Sequence, residues 1–146
     1  MKLDGCWFAK ENTPQWPHHP SCHCILKELP YADVLSKSSV ECAYSKFDPF
    51  LFDVQRKYAH GKEKLFHLWG YTVADAEWLQ HEIEKQGLAN YTSGEYTLGK
   101  LDNDGQRISI RVEIPRKDTA ETVSFITGWM VHPNGHIRLV MPYGGK

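Results

Sequence analysis

Residues 123–141 leave this chain few choices of fold. Two runs rich in β-branched and aromatic residues, Thr122 to Val131 and Ile137 to Met141, flank Pro133-Asn134-Gly135. Asn-Gly pairs take up the positive φ angles of tight turns at little cost, so the runs are expected to pair as an antiparallel hairpin. Side chains alternate along a strand. Val123, Phe125, Thr127, Trp129 and Val131 therefore share one face, and Ser124, Ile126, Gly128, Met130 and His132 share the other. Both sets contain apolar residues, so alternation leaves open which face is buried. The hairpin also sets Thr127, Trp129, His132 and His136 on a rigid platform.

The preceding segments extend this pattern. Arg107 to Ile114 alternates strictly, with Ile108, Ile110, Val112 and Ile114 inward and Arg107, Ser109, Arg111 and Glu113 outward. Tyr96 to Leu101 comes before it, across a turn at Asn103-Asp104-Gly105. Short connections make sequential strands neighbours, so a four-stranded antiparallel meander is expected. Helices come earlier in the chain. Thr72 is a helix cap with Asp75 in the first turn, Ala76, Leu79 and Ile83 form the buried stripe, and Gly87 is the expected stop. Leu65, Phe66 and Trp69 share one face of a helix over Lys62 to Trp69, with Gly70 as its stop. Asp48-Pro49 fits a helix start, with Phe50 to Tyr58 as a short helix or, from its aromatics, a strand. The expected class is α+β, N-terminal helices packed on the four-stranded meander.

A chain of 146 residues has room for one such domain plus an appendage. No apolar run approaches the roughly 20 residues that span a bilayer. The opening Met-Lys-Leu-Asp-Gly-Cys lacks the apolar core of a secretory signal, so a cytoplasmic location is expected. Net charge is −1, so a nucleic-acid ligand would need a local basic patch.

Residues 1–30 contain Pro14, Pro17, Pro20 and Pro30 and read as an irregular arm, followed over 31–46 by a polar linker that can hold a short helix. All four cysteines fall in the first third of the chain. Cys6, His19, Cys22 and Cys24 could supply a tetrahedral zinc set that staples the arm. One residue separates Cys22 from Cys24, fewer than the usual spacing of structural zinc sites. Packed or mobile reduced thiols fit as well, as does a disulfide such as Cys6 to Cys22, which a reducing compartment disfavours.

His60-Gly61-Lys62-Glu63-Lys64 stands at a helix start, just after Arg56 and Lys57. Free N–H groups at a helix N-terminus bind anions, and the cations would add to this. A histidine among cations has a lowered pKa, which suits a base near neutrality. The same stretch also fits a solvated, charged helix start. Thr127 and Trp129 fit sheet packing as well as a site, and His132 and His136 fit ordinary turn residues.

Two resemblances emerge from these residues. Pro17-His-His-Pro-Ser-Cys-His-Cys24 resembles the histidine-proline-x-cysteine-x-cysteine signature that closes the head-morphogenesis domain of Mu-type phage minor capsid proteins. Residues 45–146 combine helices, a following four-stranded sheet, the His60-Gly61-Lys62 helix start and the late strand Thr127-Gly128-Trp129. They resemble the barnase–EndoU–colicin–RelE nuclease superfamily, above all its phage-borne and polymorphic-toxin branches, whose toxin domains often follow a head-morphogenesis domain. The implied organisation is an arm over 1–30, a linker over 31–46 and a nuclease-like domain over 47–146.

The second resemblance implies a ribonuclease toxin that cleaves RNA, including tRNA, with no catalytic metal. A base takes the 2′-hydroxyl proton, the oxygen attacks phosphorus, and an acid protonates the leaving 5′-oxygen. Carried over by position, His60 is acid or base, Lys62, Lys64 or Arg111 holds phosphate, Thr127 orients it, and Trp129 or Tyr143 stacks a base. The implied partners are RNA, an acidic immunity protein and a host translation factor. The implied locations are a target cell or a phage particle. The competing expectation is a non-catalytic structural or interaction protein of a phage particle with a zinc-stapled arm.

Overall fold

The computed structural model describes residues 3–16, 20–52 and 61–145. In chain order these contain helix α1 (Tyr31–Lys37), strand β1 (Ser39–Glu41), helices α2 (Lys62–Leu68) and α3 (Ala76–Thr92), and strands β2 (Thr97–Asp102), β3 (Gly105–Pro115), β4 (Thr122–His132) and β5 (His136–Gly145). The strands form one sheet in the order β1-β5-β4-β3-β2. The class is α+β. Strands β2 to β5 are the expected antiparallel meander, but the sheet has five strands and is mixed, because β1 pairs in parallel with β5 through Ser39↔His136, Val40↔Ile137 and Glu41↔Arg138. The stretch 31–46, read as a linker with room for a short helix, holds α1, a 3₁₀ turn at Tyr44–Lys46 and the unexpected β1. Three residues pairing with a partner 97 positions away carry no local periodicity to read.

Alternation along β3 puts Ile108, Ile110, Val112 and Ile114 on the inner face, all essentially inaccessible. Each such side chain contributes roughly 1.5–3 kcal/mol on full burial. A one-residue slip would move all four to the other face, so they fix the register. On β4 the inner face is that of Phe125, Thr127, Trp129 and Val131, which answers the question that alternation left open. Helix α3 lays Leu79 and Ile83 into the same core, and α2 adds Phe66, whose ring meets Trp69, Phe125 and Tyr143 edge-on.

Helix α3 departs from expectation at both ends. The Thr72–Asp75 capping box is present, with the Thr72 N–H donating to Asp75 Oδ2 at 2.9 Å, but a 3₁₀ turn over Val73–Asp75 comes first. Gly87 does not end the helix, which runs on to Thr92 and stops before Gly94 at φ 80°. Gly87 faces the sheet instead, where a Cβ would lie 2.5 Å from Cζ2 of Trp129. It is the bare spot that admits the indole. The helix or strand expected from Phe50 is also corrected. Phe50–Phe52 close a turn through Phe50 N–H to Ser45 O and Phe52 N–H to Phe47 O, and the rest of that stretch, 53–58, lies outside the described residues.

The first residues of the arm lack regular structure beyond one 3₁₀ turn, yet they are tied to the domain. Tyr91 OH donates to Trp7 O at 2.6 Å, Ala9 N–H donates to Tyr96 OH at 2.7 Å, and the Asn12 amide donates to both Gly94 O and Tyr96 O. Buried backbone groups need partners, and here Tyr91 of α3 and Tyr96, just before β2, supply them. The β3 edge beyond its pairing with β2 is served in the same way. The Gln86 amide donates to Glu113 O at 2.7 Å and accepts from Glu113 N–H at 2.9 Å, while Asn90 donates to Arg111 O. One glutamine thus stands in for a neighbouring strand.

The polar face of the sheet as a candidate site

The face opposite the core is assembled row by row by the strand register. In one row Thr97, Ser109, Gly128 and Met141 lie side by side across β2, β3, β4 and β5. Gly128 has no side chain, and a Cβ there would meet only Met141, at 3.6 Å, so the middle of the row is a shallow floor. The Lys62 Nζ comes to 2.9 Å from the Met141 Sδ at one end of it. Burial holds this ammonium below its ordinary pKa. On the neighbouring row Arg111 stands opposite Ile126 and donates from Nη1 to Ser124 Oγ at 2.9 Å. Strands lie about 4.8 Å apart, so β3 and β5 face each other over about 10 Å.

Towards the hairpin turn the same face carries Arg107 and Arg138 on either side of Met130. Arg107 Nε donates to Asp102 Oδ2 at 3.0 Å. Arg138 Nε approaches His132 Nε2 at 3.4 Å, and the rings of His132 and His136 lie 5.9 Å apart between centroids. Strand β1 completes this end: Ser39 Oγ is 2.8 Å from His136 Nδ1, and Glu41 Oε2 is 3.5 Å from His136 Nε2. Sequence reasoning set His132 and His136 on the hairpin but had no signal for Ser39 and Glu41, which come from a segment read as linker.

The residues expected to form a site are only partly brought together. Lys62, Lys64 and Tyr143 line one groove of about 440 Å³ at the start of α2. Arg111 belongs to a separate cleft of about 570 Å³, shared with Asn90, Glu95, Thr97, Ser109 and Glu113. Thr127 and Trp129 are corrected. Both are wholly inaccessible on the inner face, where Trp129 Nε1 donates to Thr127 Oγ1 at 2.7 Å and Thr127 Oγ1 donates to Ile110 O at 2.9 Å. They cannot orient a phosphate or stack a base; the strand shows Gly128 to solvent in their place. His60 lies outside the described residues, as does His19 of the expected zinc set.

The other members of that set are thiols. Among the described residues no group of three or more histidine, cysteine or acidic side chains converges as metal ligands do. Burial and then the Asp4 charge push Cys6 up to about 11, and its Sγ faces Val131 O at 3.9 Å. Partial desolvation, and after it the neighbouring Cys22 thiol, raise the Cys24 pKa. None of the described helices is long and apolar enough to cross a membrane.

No curated protein and no solved structure matches the chain. The family model described as Domain of unknown function (DUF6883) matches residues 36–146, a span that begins within α1 and takes in all five strands. Covering well over half of its length, that match makes this chain a member of the DUF6883 family.

Proposed function

We propose that the chain is a metal-independent ribonuclease toxin, and that RNA lies along the polar face of the sheet. The observation that carries this reading is the collection of Arg107, Arg111 and Arg138 on that one face, with the Lys62 ammonium reaching its edge at Met141. These cations, Arg107 among them paired with Asp102, give a chain of net charge −1 a local group of positive charges to offer a polyanion. Lys62, Lys64 and Arg111 hold phosphate, Tyr143 offers a ring for stacking a base, and histidines, His60 among the candidates, transfer the protons. Cations fixed on a sheet and a helix need little reorganisation as charge builds on phosphorus. An acidic immunity protein covering this face would be the natural inhibitor. A host translation factor is the proposed co-binding partner, and a target cell or phage particle the proposed location.

The test is incubation of the pure protein with tRNA and total RNA in EDTA. Cleavage is expected, with Lys62→Ala and Arg111→Ala each slowing it while the circular dichroism spectrum stays unchanged. Intact RNA after prolonged incubation sinks the reading. It would favour the alternative of a phage interaction protein, for which the exposed Ile25, Leu26, Tyr31 and Leu35 speak. Zinc in the arm is proposed under either reading, and elemental analysis of protein purified without chelator decides it.

A further inference from the structure

We propose that His132 and His136 are the general base and general acid of this cleavage, with Arg138 holding the phosphate beside them; this rests on the ribonuclease reading above. Cleavage by 2′-hydroxyl attack needs two proton-transfer groups, one for the entering and one for the departing oxygen. His132 and His136 are two imidazoles on one polar face, with ring centroids 5.9 Å apart and planes inclined by 41°. A phosphodiester seated beside the pair would offer its entering oxygen to one ring and its departing oxygen to the other, each needing to come within about 2.6–3.2 Å of a nitrogen. Such a pair needs rigid support. His132 ends β4 and His136 begins β5, and Cα pairing sets them opposite one another across the turn.

The two rings stand in opposite surroundings, as an acid–base pair requires. The neighbour of His132 is a cation: Arg138 Nε points at His132 Nε2 from 3.4 Å, so that nitrogen carries a lone pair. Burial lowers the pKa of His132, Arg138 and His136 push it the same way, and Glu41 opposes them. The neighbour of His136 is a carboxylate, Glu41 Oε2 at 3.5 Å from Nε2, and Ser39 Oγ fixes its other nitrogen at 2.8 Å. Ser39 and Glu41 are positioning residues, delivered by the β1–β5 pairing.

The step balances without oxidant or co-reactant. The neutral His132 imidazole takes the 2′-hydroxyl proton as the O2′–P bond forms. The P–O5′ bond breaks as His136 turns Nε2 from Glu41 and gives the proton on that nitrogen to O5′. The products are a 2′,3′-cyclic phosphate and a 5′-hydroxyl, and Arg138 turns from His132 to the phosphate oxygens when substrate enters.

The experiment compares the wild-type chain, His132→Ala, His136→Ala and His60→Ala on RNA. It then repeats the series on uridine 3′-(p-nitrophenyl phosphate), whose aryl oxide leaves without protonation. Each of the two hairpin variants should slow RNA cleavage by about 10²–10⁴-fold. The aryl ester should restore His136→Ala to near the wild-type rate and leave His132→Ala slow. Circular dichroism checks folding, and His132→Gln and His136→Gln replace any alanine variant that fails to fold. Near wild-type RNA cleavage by either hairpin variant, beside active wild-type protein, overturns the couple and leaves the ribonuclease reading standing on His60. Failure of the aryl ester to rescue His136→Ala overturns its assignment as acid. A wild-type chain that cuts neither substrate ends the ribonuclease reading and this proposal with it.

Discussion

Replacing Thr127 by valine separates a structural from a catalytic role for the residue most easily mistaken for a site. The side chain keeps its shape and loses one oxygen, which in the native protein donates to Ile110 O and accepts from the Trp129 indole. Losing the first bond costs about 1 kcal/mol, and leaving the indole N–H buried without an acceptor costs about 1–3 kcal/mol. The added methyl group returns roughly 0.8 kcal/mol. The expected loss is about 2 kcal/mol, measured as a lower urea midpoint at unchanged slope, or about 4–8 °C in Tm for a chain of this size. Thr127→Val combined with Trp129→Phe should cost less than the two changes summed, because each breaks the same buried bond. Any RNA cleavage, counted per folded molecule, should be unaffected. A stability change under about 0.5 kcal/mol, or lost cleavage in a fully folded variant, would refute the assignment of Thr127 to the core.

Three further outcomes follow from particular contacts. Gly87→Ala should gain up to about 1 kcal/mol of helix propensity and lose about 1–3 kcal/mol to overpacking against Trp129. A net fall in the urea midpoint is expected, and a rise would show that the indole can retreat. Burial pushes the Asp75 carboxyl up, but Lys117 Nζ at 2.6 Å and the Thr72 N–H outweigh it and hold its pKa below the ordinary value. Its contribution to stability is therefore complete above the unfolded-state pKa, about 3.9, and lost as pH falls through the lower folded value. Urea midpoints followed down through that window should fall less in Lys117→Ala than in the wild type. Burial, then Glu84, pushes Cys42 up to about 12, and Cys6 stands near 11, so both should resist iodoacetamide at pH 7.5 until urea unfolds the chain.

The meander was readable because each of its strands announces itself locally. Ile108 to Ile114 alternate, Asp104-Gly105 and Asn134-Gly135 turn, and consecutive strands have little choice but to pair. Strand β1 was not readable, since Ser39-Val40-Glu41 has neither length nor pattern and acquires meaning only beside His136. Gly87 misled for a related reason. A glycine near a plausible helix end looks like a stop, and only the packed Trp129 explains why it lies within the helix. The candidate site was legible in part. Lys62, Lys64 and Tyr143 line one groove, and its basic helix start is a local signal. Thr127 and Trp129 were placed on one face correctly, but which face is buried depends on what the helices cover.

The joining of Ser39 and Glu41 to His136 has a consequence for synthesis. These partners are separated by almost the whole length of the domain, so a growing polypeptide holds the two halves of the histidine cluster apart until position 138 has left the ribosome. If the cluster cuts RNA, the translating cell meets no assembled cutting centre on unfinished copies of its own product.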